Sequence, residues 1–530
     1  MYAFTCPCFQ LKPFLLTMLT KTYSAEVTGM NVVTVTIETH MSKGVLLHVS
    51  GLADAAVKES FDRIKAAISN IGGKMPVADL TVNLSPADIK KEGSGYDLPM
   101  AIGILGASEK IRTDMLEQYM MVGELGLDGS LRPVRGVLPL AIKARADKFK
   151  GLIVPAVNGR EAAVVNNLDV YGMESLVDVI KFFNGEKYEP IIVDTRKEFY
   201  ENQSHYDLDY ADVRGQENVK RALEIAAAGG HNMIMIGPPG SGKSMMAKRL
   251  PSILPPLTLS ESLETTKVYS VAGKLSQGTS LLYQRPFRSP HHSISQVALV
   301  GGGVNPRPGE ISLAHNGVLF CDELPEFSRS VLEVMRQPLE DRTITISRAK
   351  YSIEFPCSFM FVASMNPCPC GYYGDPTHHC VCTPGQIQRY LNKISGPLLD
   401  RIDIQCEIQA VPFAQLSQMK PGESSATIRE RVIAARKIQE VRFKEHKGIH
   451  CNAMMTESML HQYAEPDESS LNMLRMAMER LKLSARAYSR ILKVARTIAD
   501  LAGSEKVETP HIAEAIGYRN LDRGDWAERG

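Results

Sequence analysis

The residues best suited to chemistry lie in one run, Gly237-Pro238-Pro239-Gly240-Ser241-Gly242-Lys243-Ser244. Its glycines let successive backbone N–H groups wrap an anion, and Lys243 and Ser244 stand where a phosphate-binding loop needs a cation and a hydroxyl. The flanks fit. Asn232 to Ile236 reads as a buried strand, apolar from Met233 on, and Lys243 to Leu250 opens a helix whose N-terminal dipole favours an anion. Lys243 is expected to contact the β- and γ-phosphates and Ser244 to hold Mg²⁺, so ATP and Mg²⁺ are the expected cofactors.

A second apolar run, Val318-Leu319-Phe320-Cys321, ends in Asp322-Glu323. A carboxylate at such a tip can bind Mg²⁺ through water, which suits Asp322, and Glu323 is then placed to polarise the attacking water. Strands ending in Asp-Glu are common, and it is the upstream loop that gives this one meaning. A third strand, Phe359 to Ser364, leads to Asn366, whose amide can orient the water from the other side. Arg401, in Leu399-Asp400-Arg401-Ile402-Asp403, has two readings. It can reach a neighbouring subunit's γ-phosphate, or it can pair with Asp400 or Asp403 at the surface.

Cys368-Pro-Cys370 and Cys380-Val-Cys382 form a CxC-x₉-CxC array beside His378 and His379. Four thiolates this close can make a tetrahedral Zn²⁺ site, although the one-residue spacing is tighter than the usual two. The alternative is four free thiols in a loop. Zn²⁺ is the expected ligand, in a structural role between Asn366 and Arg401. Cys321, Cys357 and Cys406 lie in apolar strands and read as core residues.

The elements that must position these groups belong to a chain too long for one core. Its 530 residues are 44% hydrophobic and 22% charged, ordinary for a soluble globular protein. No apolar run of membrane-spanning length occurs, and the first twenty residues lack a basic n-region and a small-residue cleavage site. A cytoplasmic protein with reduced cysteines and no membrane partner is therefore expected. A net charge of +1 neither favours nor excludes nucleic acid.

Residues 19–187 alternate short strands (Val32–Ile37, Gly151–Pro155) with helices such as Val57–Ile71, and 188–210 reads as a linker. Residues 211–412 alternate strands and helices in the manner of a parallel sheet. From 413 to 530 the pattern is helical, with helices at Ile428–Phe443 and Ser470–Leu501 and a last one opened by Thr509 as N-cap and Pro510. Residues 1–18 show neither period nor turn logic and are expected to be a dispensable, disordered extension.

Several long strings carry a family resemblance. Asp212-Val213-Arg214-Gly215-Gln216, Arg221 to Asn232, Arg285-Pro286-Phe287-Arg288-Ser289-Pro290-His291-His292 and Leu299-Val300-Gly301-Gly302-Gly303 resemble the YifB/ComM branch of the magnesium-chelatase-like AAA+ family. The resemblance runs from about Met18 to Trp526. It implies an α/β P-loop AAA+ module with a C-terminal helical lid, preceded by an α+β domain like that of Lon protease. It further implies that Asn366 is the first sensor, Arg401 a trans-acting arginine finger, and Arg486 the second sensor with Arg490 as fallback. Gln284–Glu310 matches an insert that points toward a ring pore. The implied assembly is a hexameric ring, and the implied activity is branch migration of DNA in recombination or natural transformation.

In the first domain, Lys91-Glu92-Gly93-Ser94-Gly95 and Pro133 to Leu140 resemble the Lon segments that carry its nucleophile and lysine. Here the lysine positions are Leu138 and Leu140, and Ser94 falls one place early, so a fold without peptidase chemistry is expected. Competing readings are a chelatase-type motor that remodels a protein partner and, with less support, an ATP-dependent protease. A basic lid (Arg475, Arg480, Lys482, Arg486, Arg490, Lys493, Arg496) adds weak support for DNA.

Overall fold

The structure, a computed structural model, describes residues 19–203, 206–303, 306–348, 351–375, 378–409, 422–481 and 483–519. The extension 1–18, the 412/413 boundary and Lys482 lie outside the described residues. The chain divides into two compact units, one of Met1–Thr195 with Tyr269–Leu281, the other of Arg196–Val268 with Leu282–Gly530.

The first unit is built on a seven-stranded mixed sheet. Its spatial order is Leu47–Ser50, Asp79–Ser85, Asn31–Ser42, Leu19–Thr28, Tyr119–Met121, Gly151–Pro155, Asp169–Met173. Leu19–Thr28 and Asn31–Ser42 form an antiparallel hairpin, turned by Gly29 at φ +62°. Val35 and Ile37 alternate into the core. Helix Ala55–Asn70 starts at Asp54, whose carboxylate accepts the Val57 N–H, and buries Val57, Ile64, Ala67 and Ile68 at helical spacing.

Helix Leu259–Ala272 begins in the second unit and delivers its last residues to the first. There the Ser270 carbonyl accepts the Gly136 N–H at 3.1 Å, and the Ser270 hydroxyl donates to buried Glu161 at 2.5 Å.

The second unit carries a five-stranded sheet in the order Phe287–Arg288, Val318–Cys321, Met360–Met365, Met233–Ile236, Ile404–Glu407, with every neighbouring pair parallel. The three inner strands are buried at every residue, which is why they read as unbroken apolar runs. The earliest strand, Met233–Ile236, lies between the two latest. The C-terminal tips of the inner strands therefore open side by side, the usual ligand position in such a sheet.

Helices Ser425–Arg442, Glu457–Tyr463, Glu468–Leu481, Ala485–Leu501 and Thr509–Gly517 follow. Three local readings change. Ser470–Leu501 is two helices, because the Ser484 side chain accepts the Ala487 N–H and starts a new one. Glu508, rather than Thr509, caps the last helix, with Pro510 inside its first turn. The stretch read as a linker holds a helix, Thr195–Asn202.

Candidate nucleotide site and cysteine centre

The loop after Met233–Ile236 is set by its glycines. Gly240 and Gly242 take φ +76° and +88°, and a Cβ on Gly237 would stand 2.5 Å from the Ile408 carbonyl. Lys243 opens helix Lys243–Arg249 and is buried. Its ammonium donates to the Gly237 and Pro238 carbonyls at 2.8 and 2.9 Å and to Asn366 Oδ1 at 3.3 Å. Burial pulls its pKa below the ordinary lysine value, against the opposing charges of Asp322 and Glu323. The Ser241 hydroxyl is buried in the same loop without a hydrogen-bond partner among the described residues. A buried ammonium and an unsatisfied hydroxyl in a glycine-shaped loop suit a phosphate.

The Ser244 hydroxyl donates to Asp322 Oδ2 at 2.5 Å, and the Ser364 hydroxyl donates to Asp322 Oδ1. Ser244 and Asp322 thus present the oxygens that would hold Mg²⁺. Glu323 sits at φ +52°, a left-handed conformation uncommon outside glycine, and its N–H points back to Asp322 Oδ1 at 3.1 Å. That bend leaves the Glu323 carboxylate 58% exposed. Sequence reasoning missed two neighbours here, Ser364 on Asp322 and His292, whose Nδ1 lies 3.7 Å from Glu323 Oε2. The proximity of His292 to Glu323 carries no sequence signal. Ser364 had one, a hydroxyl near the tip of a buried strand.

Arg401 is brought elsewhere. Its guanidinium pairs with Glu340 and donates to the Pro397 carbonyl, while its buried Nε has no partner among the described residues. Neither Asp400 nor Asp403 is its partner, contrary to the surface-pair reading. Asp400 takes Arg486 at 3.0 Å, and Asp403 takes Arg490 at 2.9 Å and His231 at 3.0 Å. Asp403 is buried, yet Arg490 and His231 hold its carboxyl well below the usual range. Arg486 remains largely exposed on the lid, whereas Arg490 is committed to Asp403.

The basic lid is less open than its composition implies. Arg496 pairs with Asp500 at 2.9 Å, and Lys493 donates to the Ala453 carbonyl at 3.1 Å. The insert 284–310 is likewise tied down. Phe287–Arg288 is an edge strand of the main sheet, Arg285 is held by Glu261 and main-chain carbonyls, and Arg288 pairs with Glu310.

Cys368, Cys370, Cys380 and Cys382 converge, their sulfurs all within 4.8 Å of one another. Sulfur separations of 3.3, 3.7 and 3.6 Å join the first three. A tetrahedral Zn²⁺ with Zn–S of about 2.3 Å requires edges of about 3.8 Å, so the donor set fits. Burial opposes ionisation of Cys370, but the Tyr372 and Val381 amides bring its thiol down to about 6. His378 stands aside from the four sulfurs, its ring stacked on Tyr372 at 4.8 Å.

In the first unit the Ser94 hydroxyl donates to Glu124, and Lys143 pairs with Asp147 at 2.7 Å. Lys91 donates to the Pro86 carbonyl, and Leu138 and Leu140 are buried. These bonds give Ser94 a carboxylate partner in place of a lysine.

The parallel sheet, the phosphate loop at the tip of one inner strand and the helical C-terminal region define a P-loop module of the AAA+ class. The chain matches the model for magnesium chelatase subunit ChlI over residues 209–416, the model for subunit ChlI of Mg-chelatase over 37–158, and the ChlI C-terminal model over 422–519. It is 46% identical over 505 residues to competence protein ComM of Haemophilus influenzae, covering 94% of this chain and 97% of that one. It is 44% identical over 501 residues to the uncharacterized protein YifB of Escherichia coli, covering 93% and 96%. Lon protease 2 of Bacillus subtilis is 31% identical over 159 residues, 27% of each chain, a likeness that lies in the N-terminal part. The chain belongs to the YifB/ComM family of magnesium-chelatase-like AAA+ proteins. Membership implies ATPase activity. No described helix is long and apolar enough to cross a membrane.

Proposed function

We propose that this chain is an ATP-driven ring motor of the cytoplasm, hexameric, that moves DNA branches during recombination or DNA uptake. The observation that carries the motor reading is the convergence of Lys243, Ser244, Asp322, Glu323 and Asn366 at three adjacent strand tips. Lys243 and the free backbone N–H groups of the glycine loop hold the β- and γ-phosphates, and Ser244 and Asp322 hold Mg²⁺. Glu323 takes the proton from the attacking water, and Asn366 fixes the γ-phosphate side of the site. Arg401 and Arg486 complete it, Arg401 from a neighbouring subunit. Zn²⁺ occupies the four cysteines as a structural ion.

DNA as the substrate is supported by the relative named for competence rather than by surface charge, since the insert arginines and much of the lid are paired internally. The test is the ATPase rate without DNA, with single strands and with a four-way junction, alongside junction migration. Stimulation by the junction and its ATP-dependent resolution support the reading. Equal rates with no junction movement would overturn the DNA assignment and favour a protein partner, as in a chelatase-type motor. A peptidase is disfavoured because the positions of the Lon lysine hold buried Leu138 and Leu140, so Ser94 lacks its lysine base.

A further inference from the structure

The cysteine centre and the phosphate loop are physically one construction. Asn366 follows the tip of Met360–Met365 directly, and buried Cys368 comes two residues later. The Cys368 carbonyl accepts the Gly371 N–H at 3.0 Å, closing a tight turn that carries Gly371 at φ +89°. This turn rests on the phosphate loop. A Cβ on Gly371 would stand 2.6 Å from Pro239 Cδ and 2.9 Å from its Cγ, and 3.9 Å from Asn366 Cγ. Asn366 in turn accepts from Lys243 at 3.3 Å. The second cysteine pair runs into helix Pro384–Leu391, fixed by the reciprocal bonds of Thr383 and Gln386.

Between Asn366 and Thr383 no described residue belongs to a helix or strand. Such a segment has little to offset the entropy of being ordered unless something cross-links it. Four thiolates around one ion supply that cross-link, since metal binding to a site that forms only on folding contributes directly to folding.

We propose that the metal at Cys368, Cys370, Cys380 and Cys382 is a brace for the phosphate loop: it holds Gly371 against Pro239 and Asn366 against Lys243, and so makes nucleotide binding depend on the metal. This rests on the zinc reading above. With the metal in place the Pro239 side of the loop has a fixed wall. Without it, the turn is released and both contacts loosen together.

The experiment uses the full chain, with metal content by elemental analysis and affinity for a fluorescent ATP analogue by titration. Zinc-loaded protein is compared with protein stripped by a chelator under reducing conditions, and with stripped protein given zinc again. Stripping should weaken nucleotide binding by about tenfold to a hundredfold, the loss of one hydrogen bond to a charged group, and zinc should restore it. Gly371→Ala is the independent variant. Its Cβ meets Pro239, so it should keep its zinc and lose nucleotide affinity to a similar degree. Unchanged affinity in stripped, folded protein overturns the brace and leaves the zinc reading intact, whatever Gly371→Ala shows. Reduced, metal-replete protein containing no metal overturns the zinc reading and the brace with it. Circular dichroism on each sample separates local release from unfolding. A stripped sample that unfolds also overturns the brace, because the metal then holds the whole fold rather than the two loop contacts.

Discussion

Arg288 and Glu310 are joined by two parallel hydrogen bonds, Nε to Oε2 at 2.6 Å and Nη2 to Oε1 at 2.8 Å. The fork is the geometry in which arginine binds carboxylate best, and it clamps the two ends of the insert together. Arg288 is thereby assigned to the architecture of its own subunit. Arg288→Ala should cost about 1–2 kcal/mol of stability, since both partners are half-buried. Glu310→Ala should cost a similar amount, and the double variant should cost less than the sum. Thermal melts of the three variants check this. Additive losses would show that the pair is not a unit.

Lys243 and Glu323 should fail in different ways. Lys243→Ala removes an ammonium from the floor of the loop, so nucleotide affinity and turnover should fall together. Glu323→Gln leaves the loop and Asp322 in place. ATP should bind with near-normal affinity while hydrolysis falls by about a hundredfold or more. Titration with labelled ATP and a phosphate-release assay separate the two. Normal turnover by Glu323→Gln would remove Glu323 from the mechanism.

Arg401 faces Glu340 of its own chain, so the trans-acting role proposed for it requires this pair to open. Arg401→Ala should lower turnover by about a thousandfold, and Glu340→Gln should preserve it. Mixing Arg401→Ala subunits with Lys243→Ala subunits should recover part of the rate at interfaces that pair an intact loop with an intact arginine. If mixed rings form and no activity returns, Arg401 is a structural residue.

Glu26 gives the first unit a pH dependence. Burial pushes its carboxyl up to about 7, against hydrogen bonds donated by the Tyr96 hydroxyl at 2.5 Å and the Glu92 N–H at 3.1 Å. The folded form therefore holds a proton that the unfolded chain releases near pH 4.5. The stability this confers is complete below that pH and is lost as pH rises through about 7. Glu26→Gln accepts the same two hydrogen bonds without ionising, so it should be more stable than the parent at pH 8 by about 2 kcal/mol. At pH 4 the two should be nearly equal. Denaturant melts at both pH values test the crossing, and an equal difference at both would refute it.

The candidate nucleotide site is legible in the sequence because each part is local: a loop pattern after one apolar run, and two acids at the tip of another. The parallel sheet was legible for the same reason, its inner strands being apolar throughout. Partners distant in sequence were not. In sequence Arg401 stands beside Asp400 and Asp403, yet its carboxylate is Glu340 across the fold. The lid read as a basic surface because composition cannot distinguish Arg496 buried on Asp500 from an exposed arginine. Ser470–Leu501 read as one helix because its apolar period survives the break, and only the Ser484 cap reveals the boundary.

Helix Leu259–Ala272 hands Tyr269–Leu281 to a unit whose remaining residues all precede Arg196. During synthesis the N-terminal unit is consequently incomplete when its own segment leaves the ribosome. Buried Glu161 and the Gly136 N–H must wait for Ser270. The polypeptide between Thr195 and Tyr269, phosphate loop included, emerges first, so the two units cannot mature strictly one after the other. A fragment ending at Thr195 would carry the same vacancy permanently, and one ending at Leu281 would fill it only by exposing Met233–Ile236 without the strands that flank it.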